Sequence, residues 1–316
     1  AGETRTADWM KPIAHHLKAL EPRLDPANYD RGKGVVTGIA TGFAHLDKFT
    51  GGFHPGEMIV IAAEPSKGKT SLALNLIEHI AVRCGLPVGL FTMEMTGEQV
   101  ALRMIVTRAR ANLLKVRTGF ASKEELRDLQ PALADLAAAP IVVDESSSLD
   151  EYDLRARARR MVKRAGCRLI VIDYLQLARS RKAKDHFERV TNVSETCKAI
   201  AKDNAVPVVV LSQFNRDKER RGRKPQLSDL RGSGSIEQDA DVVAMLYEPT
   251  ETREIEDPVT KKKKTVRVEN QPDDPVWAVN LLIAKQRDGP RDFDVELVFR
   301  RACTRSREKM RPRLTS

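Results

Sequence analysis

The sequence has few aromatic residues, few cysteines and no long apolar run. Aromatic residues make up 5% of its 316 residues. No apolar run approaches the ~20 residues of a membrane-spanning helix, so we expect a protein with no membrane partner. The cysteines lack the spacing of metal ligands, and we interpret them as buried thiols of a reducing, cytoplasmic compartment. They are Cys84, Cys167, Cys197 and Cys303.

The N-terminal segment lacks both an initiator Met and the apolar core of a signal peptide. We therefore expect a piece of a longer protein. Four apolar side chains at helical spacing predict an amphipathic helix over residues 8–21. A polar stretch with Pro and Gly follows as a linker, which divides the chain into residues 1–34 and a domain over 35–316. The apolar face of the helix packs either on its own domain or on a neighbouring subunit.

A phosphate-binding motif lies between an apolar strand pattern at residues 58–62 and a helical pattern that begins at Lys69. Residues 63–70, Ala-Glu-Pro-Ser-Lys-Gly-Lys-Thr, match G-x-x-x-x-G-K-[ST] with Ala in place of the first Gly. In this motif backbone N–H groups hold the phosphates, the Lys reaches the β and γ oxygens, and the Thr hydroxyl binds Mg²⁺. The motif therefore predicts a site for a nucleoside triphosphate. Its binding residues are Pro65, Ser66, Lys67, Gly68, Lys69, Thr70 and Ser71.

Strand patterns alternate with helical stretches beyond this motif. Such near-continuous apolar strands predict an α/β fold with a mostly parallel, twisted sheet and helices on both faces. Only a Gly-Pro turn separates the last two strands, which predicts a C-terminal β-hairpin. Residues 249–275 are rich in charge and Pro, and we expect them to form an exposed excursion. The further predicted strands are 87–93, 140–144, 168–174, 206–212, 240–247, 276–285 and 293–299.

Three predicted strands end in polar groups that suit triphosphate hydrolysis. The C-terminal ends of strands are where functional groups gather in an open parallel sheet. Asp173 follows four apolar residues and is predicted to hold Mg²⁺ with Thr70. Glu94 is placed to polarise an attacking water, and Gln213 is placed to sense the γ-phosphate. Any one of them also suits an ordinary loop, but the three together favour hydrolysis.

Positive charge is in excess, with 54 Lys and Arg residues against 44 Asp and Glu residues. The net charge of +10 favours either a polyanionic partner or a solvated basic surface. Basic residues concentrate in segments 179–184 and 216–224, directly after the Asp173 and Gln213 strands. Few aromatic residues interleave with them, which favours tracking along a nucleic-acid backbone with little sequence preference. Solvated loops without a partner are the alternative interpretation.

Six short motifs follow one another in a fixed order. They are Ser-Lys-Gly-Lys-Thr at 66–70, Phe-Thr-Met-Glu-Met at 91–95, Asp-Tyr-Leu-Gln-Leu at 173–177, Ser-Gln-Phe-Asn-Arg at 212–216, Asp-Leu-Arg-Gly-Ser-Gly-Ser-Ile-Glu-Gln-Asp-Ala-Asp at 229–241 and Lys-Gln-Arg-Asp-Gly-Pro at 285–290. Together they resemble the C-terminal motor domain of DnaB-type replicative helicases, and the helix over 8–21 resembles that family's linker helix. The resemblance covers roughly residues 35–300. The later motifs are specific to this family rather than to phosphate-loop proteins in general.

The resemblance implies a RecA-like ATPase that forms a ring of six, translocates on single-stranded DNA and unwinds duplex DNA. It implies ATP and Mg²⁺ as nucleotide and metal, with Glu94 as catalytic base and Arg103 as a further nucleotide contact. Lys285 and Arg287 would reach from one subunit into the site of its neighbour. The catalytic residues carried over by position are Lys69, Glu94, Asp173, Gln213, Lys285 and Arg287.

DNA contacts are assigned in two ways. The resemblance assigns Arg231, Gly232 and Gly234, although the family usually has Glu at the position of Gly232. The basic segments add Arg181, Lys182 and Arg216. The family further implies a primase and a helicase loader as partners, at a replication fork in a bacterial or phage-infected cell. Relative to its pattern the N-terminal collar domain is absent and the 249–275 excursion is long.

Two other functions remain open from the sequence. A RecA/RadA-type recombination ATPase would share the core but should lack the motifs at 173–177 and 233–241. A nucleotide-switched DNA-binding or loader protein would hydrolyse little ATP, and Glu94 and Arg287 argue against it.

Overall fold

The computed structural model describes residues 36–173, 185–214, 223–230, 233–249, 251–256, 263–268 and 276–308. The helix predicted over 8–21 lies outside these ranges. Five of the residues predicted to contact DNA also lie outside them: Arg181, Lys182, Arg216, Arg231 and Gly232. No helix within the described ranges is both long enough and apolar enough to cross a lipid bilayer.

The strands form one large sheet and one small one. The described strands are β1 (Met58–Ala63), β2 (Val88–Thr92), β3 (Ile141–Asp144), β4 (Leu169–Asp173), β5 (Val208–Gln213), β6 (Val242–Tyr247), β7 (Glu251–Glu256), β8 (Lys263–Val268), β9 (Val276–Gln286), β10 (Phe293–Arg300) and β11 (Arg305–Glu308). Nine of them make the large sheet, in the order β11-β10-β9-β6-β1-β5-β4-β2-β3. Strands β1 to β6 pair in parallel, whereas β9, β10 and β11 extend the sheet in antiparallel fashion.

The first described helix precedes β1, and the others lie between strands along the chain. The described helices are α1 (Ala44–Thr50), α2 (Lys69–Glu78), α3 (Gly97–Ala109), α4 (Leu113–Thr118), α5 (Lys123–Ala138), α6 (Glu151–Ala165), α7 (His186–Asn204) and α8 (Ser233–Asp239). Polar side chains fix several starts, because they accept hydrogen bonds from N–H groups that have no partner within the helix. Thr96 and Ser122 form such caps for α3 and α5, and Asp150 caps α6.

Apolar residues fill a core on each face of the sheet. Every residue of β1 is buried. Because successive side chains of a strand point to opposite faces, its residues alternate between two apolar clusters. Helices α2 and α3 cover one cluster, and α6 and α7 cover the other. Burial on both faces explains why the parallel strands are continuous apolar runs rather than alternating ones.

The predicted α/β class, the mostly parallel sheet and the C-terminal hairpin are confirmed. Each predicted strand of the large sheet is present with ends within two residues of those expected. The sequence did not predict β11, a short and highly charged edge strand. The predicted excursion over 249–275 contains β7 and β8, which pair with each other in the separate two-stranded sheet.

Strand direction divides the sheet into two functional edges. The phosphate loop follows the C-terminal end of β1, where Ala63 lies beside Gln213 of β5. Strand β9 runs the other way, so Gln286 at its end lies beside Val242 at the start of β6. The six residues of β1 separate these edges by roughly 17 Å. The β9–β10 turn therefore lies at the edge opposite the phosphate loop.

Candidate nucleotide-binding site

Two residues of the phosphate loop have a left-handed backbone conformation, which helps successive N–H groups point to one anion. Ser66 has a φ of 65° and Gly68 a φ of 89°, both in the left-handed region. A side chain at Gly68 would also contact the Phe299 ring, whose nearest atom is 3.5 Å from the position of an added Cβ. Helix α2 begins at the next residue, Lys69. The loop thus directs backbone N–H groups and a helix N-terminus to one point, an arrangement that suits phosphate.

A cavity of about 430 Å³ opens above this loop. Most of the predicted nucleotide-binding residues line it: Pro65, Ser66, Gly68, Lys69, Thr70, Ser71 and Arg103. The predicted base and the predicted sensor, Glu94 and Gln213, line it as well. The structure therefore brings together residues that lie far apart in the sequence, from the ends of β1, β2 and β5 and from α3, as the strand-end argument predicted.

Asp173 lies beside the cavity lining and contacts it through Thr70. The Thr70 hydroxyl donates a hydrogen bond of 2.9 Å to Oδ2 of Asp173. The other oxygen, Oδ1, is buried and accepts no hydrogen bond from the described residues. A buried carboxylate oxygen with spare capacity beside a hydroxyl suits a hard cation that takes oxygen ligands. The two residues predicted to hold Mg²⁺ therefore fit that ion.

Burial controls the charges of Lys69 and Asp173. Desolvation lowers the pKa of the Lys69 ammonium, against the opposing attraction of Asp173 and Glu94. Desolvation likewise raises the pKa of the Asp173 carboxyl, against the opposing effects of Lys69 and the Thr70 hydrogen bond. Each charge is thus held in a site that disfavours it. Glu94, by contrast, is exposed at the mouth of the cavity.

The Lys67 side chain departs from its prediction. Lys67 is absent from the cavity lining. Its ammonium instead pairs with Glu248 at 2.9 Å and lies 5.4 Å from the centre of the Trp277 ring. Both partners flank the 249–275 excursion, more than 180 residues along the chain, so the motif could not reveal them. The Lys67 ammonium is therefore engaged outside the cavity, and only its backbone belongs to the phosphate loop.

The residues that form one wall of the cavity were not predicted from the sequence. Phe299, Arg301 and Thr304 line it from the end of β10 and the short 3-10 turn that follows. The Arg301 guanidinium lies 4.3 Å from the centre of the Trp277 ring. No motif marks these residues, because they reach the site only through the antiparallel pairing of β9, β10 and β11.

Lys285 and Arg287 lie at the opposite edge of the sheet, away from this cavity. Arg287 also makes hydrogen bonds within its own domain, which the sequence did not predict. Its Nη1 donates to Asp241 Oδ1 at 3.1 Å and its Nη2 to the Gln238 carbonyl at 3.2 Å. The Lys285 ammonium donates to the Ala240 carbonyl at 2.7 Å. Desolvation, and then the charge of Arg287, lowers the pKa of Lys285.

The described part of the basic surface is smaller than predicted. Arg223 pairs with Asp229 at 2.8 Å, and Lys224 pairs with Asp294. These two residues of the basic segment 216–224 are therefore neutralised within the domain. Gly234 lies in α8, is exposed, and has no atom within 4 Å of an added Cβ. Its surroundings leave room for a ligand to approach the backbone closely.

Comparisons with known proteins identify the family. Residues 38–308 match the family model of the DnaB-like helicase C terminal domain. The replicative DNA helicase DnaB of Geobacillus stearothermophilus is 38% identical over 260 residues, which cover 81% of this chain and 54% of that protein. The replicative DNA helicase DnaC of Bacillus subtilis (strain 168) is 38% identical over 261 residues, 82% of this chain and 54% of that protein. The chain thus spans about half the length of the curated relatives it matches.

Solved structures agree with these relatives. One solved ATPase domain superposes with a TM-score of 0.78 at 28% identity, covering 98% of this chain and all of that one. A DnaB-like replicative helicase, studied with its interactions with primase, superposes with a TM-score of 0.74 at 30% identity, covering 94% of this chain and 67% of that one. The chain belongs to the DnaB-like helicase C-terminal domain family.

Proposed function

We propose that this chain is the ATP-hydrolysing motor of a hexameric replicative DNA helicase, which translocates on single-stranded DNA and unwinds duplex DNA. One observation carries the proposal most directly. The phosphate-binding residues and the Lys285–Arg287 pair lie at opposite edges of one sheet. A complete hydrolytic site therefore requires two subunits. A recombination ATPase of the RecA/RadA type is the alternative, and an unwinding assay against a strand-exchange assay separates the two.

The chemistry follows from the side chains around the cavity. Lys69 and the loop N–H groups bind the β- and γ-phosphates, and Arg103 adds positive charge at the cavity wall. Thr70 and Asp173 would hold Mg²⁺, which would neutralise charge on the phosphate oxygens. Glu94 accepts a proton from the attacking water, and the Gln213 amide senses the γ-phosphate. Each residue thus has a separate role in the displacement by water at the γ-phosphate.

Replacing Glu94 with Gln should abolish steady-state ATP hydrolysis and leave nucleotide binding intact, because it removes a base but no phosphate contact. General-base losses usually run about 10²–10⁴-fold. A coupled ATPase assay and nucleotide titration measure the two properties. Glu98→Gln is the matched control, since Glu98 is exposed in the first turn of α3 and does not line the cavity. Retention of more than about a tenth of the turnover in Glu94→Gln would assign the base to another group.

Arg287 is proposed to act on the γ-phosphate of a neighbouring subunit. A guanidinium there stabilises the charge of the transition state and contributes roughly 10³–10⁵ in rate. Half of its side chain is exposed, so it is accessible to a neighbour. Lys285, two residues earlier, places a second cation at the same edge. Hydrolysis then depends on assembly, which couples turnover to a ring around DNA.

Mixing two inactive variants tests this directly. Arg287→Ala supplies a working phosphate loop, and Lys69→Ala supplies a working Arg287. Each variant alone should be inactive, and mixed rings should regain part of the ATPase activity at boundaries that join the intact halves. Co-purification of one variant through an affinity tag on the other confirms co-assembly. Full activity of Arg287→Ala alone, or no recovery in confirmed mixed rings, contradicts action in trans.

An exposed apolar surface supports assembly. Leu114 on α4, Phe120 on the following loop and Leu126 and Leu133 on α5 are each at least half exposed. We infer that the helix predicted over residues 8–21 of a neighbouring subunit covers this surface, because the apolar face of that helix must also be buried. A linker of about fourteen residues reaches roughly 50 Å when extended, which suffices to cross a subunit boundary.

Single-stranded DNA is proposed to bind through the segments that precede α7 and α8. The sequence places Arg181 and Lys182 before α7, and Arg231 and Gly232 before α8, with Gly234 in its first turn. Arg216 follows β5. Segments 179–184 and 216–222 follow the ends of β4 and β5, and these strands also end in Asp173 and Gln213. Nucleotide state can therefore act on the DNA contacts through shared strands.

DNA binding should be largely independent of sequence and should weaken steeply with salt, because phosphate contacts dominate it. Fluorescence anisotropy with oligonucleotides of unrelated sequence measures both properties. Arg231→Ala should weaken binding to all sequences alike and reduce the salt slope by about one. Arg127→Ala on α5 is the control, since this exposed Arg lies outside the proposed DNA segments. A flat salt dependence or strong preference for one sequence would count against the proposal.

The proposed partners and place follow from this function. A primase and a helicase loader are proposed as partners, and the homologous helicase that was studied with primase supports the first. The motor would act at a replication fork in the cytoplasm of a bacterial or phage-infected cell. A loader or DNA-binding switch with little turnover is disfavoured, because Glu94 faces a cavity already lined with phosphate-binding groups.

A further inference from the structure

We propose that Asp241 is a positioning residue, which holds Arg287 and Lys285 in the orientation needed at a neighbouring subunit's phosphates. The inference rests on the proposed role of Arg287 in trans. Asp241 directly precedes β6 at the edge of the sheet opposite the phosphate loop. Only 6% of this residue is exposed. Burying a carboxylate so deeply is costly unless its oxygens accept hydrogen bonds.

Three donors engage this carboxylate. The backbone N–H of Met58 donates to Oδ2 at 2.7 Å, and the Lys198 ammonium donates to the same oxygen. Arg287 Nη1 donates to Oδ1 at 3.1 Å. The Arg287 backbone N–H also donates to the Asp241 carbonyl at 2.9 Å. Both the main chain and the guanidinium of Arg287 are therefore fixed to one residue.

The C-terminal end of α8 holds the same pair of cations. The Ala240 and Glu237 carbonyls accept from the Lys285 ammonium, and the Gln238 carbonyl accepts from Arg287 Nη2. Carbonyls at a helix end carry partial negative charge, so they favour cations there. The orientation of Lys285 and Arg287 therefore follows the position of α8 and of Asp241.

These contacts leave both cations able to bind a further anion. A guanidinium has five N–H donors and an ammonium three. Hydrogen bonds to the described residues use two side-chain donors of Arg287 and two of Lys285. Half of the Arg287 side chain is exposed. The cluster of Lys198, Asp241, Lys285 and Arg287 thus orients the cations without consuming their capacity for phosphate.

Hydrogen bonds beside this cluster join the two helices that follow the proposed DNA segments. The Ser194 hydroxyl of α7 donates to Asp239 of α8 at 2.6 Å, and the Thr191 hydroxyl donates to Ser235 at 3.2 Å. Lys198 of α7 reaches both Asp241 and the Gly56 carbonyl, the latter at 3.0 Å. A displacement of α8 by DNA would therefore shift the carbonyls that hold Lys285 and Arg287. This route predicts that Asp241 is required for stimulation of hydrolysis by DNA.

The experiment places Asp241→Asn in one or the other partner of the mixed rings. In the first mixture the Lys69→Ala chain, which supplies Arg287, also carries Asp241→Asn. The ATPase activity regained with Arg287→Ala should fall by about 10–100-fold, since misplacing a catalytic group by about 1 Å has an effect of this size. Stimulation by single-stranded DNA should be lost. The KM for ATP should not change, because every working phosphate loop belongs to a chain with Asp241 intact.

In the second mixture the Arg287→Ala chain carries Asp241→Asn, and the Lys69→Ala chain is otherwise unaltered. Recovery of ATPase activity should be preserved, because Asp241→Asn then lies in the chain whose Arg287 is already replaced by Ala. The Arg287 that acts in the mixed ring comes from the other chain, in which Asp241 is intact. A substitution that merely unfolded the subunit would abolish recovery in both mixtures, and that result overturns the proposal. Equal and full recovery in both mixtures also overturns it. Asp144→Asn in the Lys69→Ala chain is a matched control, since Asp144 pairs with Arg157 at 2.9 Å on β3.

The parental mixture separates this inference from the proposed function. If Arg287→Ala and Lys69→Ala regain activity and Asp241→Asn has no effect in either chain, only the positioning role fails. If the parental mixture regains nothing in confirmed mixed rings, action of Arg287 in trans fails and the positioning role fails with it. Higher activity with Asp241→Asn in the Arg287-supplying chain would mean that Asp241 restrains Arg287, which contradicts positioning.

Discussion

The reversal of strand direction between β6 and β9 fixes where each functional group can lie. Six parallel strands end at the edge that carries the phosphate loop, Glu94, Asp173 and Gln213. Strand β9 ends at the other edge, and it carries Lys285 and Arg287 there. The backbone hydrogen bonds of the sheet hold the two groups apart, so no loop movement within one subunit unites them. Under the proposed action of Arg287 in trans, assembly is a chemical requirement of hydrolysis as well as an architectural one.

The two edges of the sheet also differ in the surroundings of their buried charged groups. At the phosphate loop, Lys69 and Asp173 are desolvated, which lowers the pKa of the former and raises that of the latter. A triphosphate would add negative charge near Lys69, and a metal ion would add positive charge near Asp173. At the far edge, Asp241 is already surrounded by donors. The edge with the phosphate loop therefore favours binding of a charged ligand. The edge with Asp241 favours a fixed geometry of Lys285 and Arg287.

The sequence predicted the elements that depend on local pattern. Apolar runs predicted the strands, and the Gly-Lys-Thr motif predicted a loop that the structure places at the mouth of a cavity. The rule that polar groups gather at strand ends correctly placed Glu94 and Gln213 in one cavity. These inferences succeed because each depends on a few neighbouring residues and on the geometry of a parallel sheet.

Contacts between distant residues could not be predicted in this way. Nothing near Lys67 indicates that Glu248 and Trp277 engage its ammonium, and nothing near Phe299 indicates that it packs against Gly68. Asp241 belongs to a motif that the resemblance identified, but its partners come from β1, α7 and the β9–β10 turn. The pairing of β6 with both β1 and β9, together with the packing of α7 on the sheet, brings these partners together.

The dependence of specific ATPase activity on protein concentration tests the central claim most directly. Particle mass, measured on the same samples with an ATP analogue and single-stranded DNA, reports assembly. The account predicts negligible turnover where the particle has the mass of one chain, and a rise in specific activity that follows ring formation. Full specific activity from particles of single-chain mass would contradict it, because one subunit would then contain a complete site.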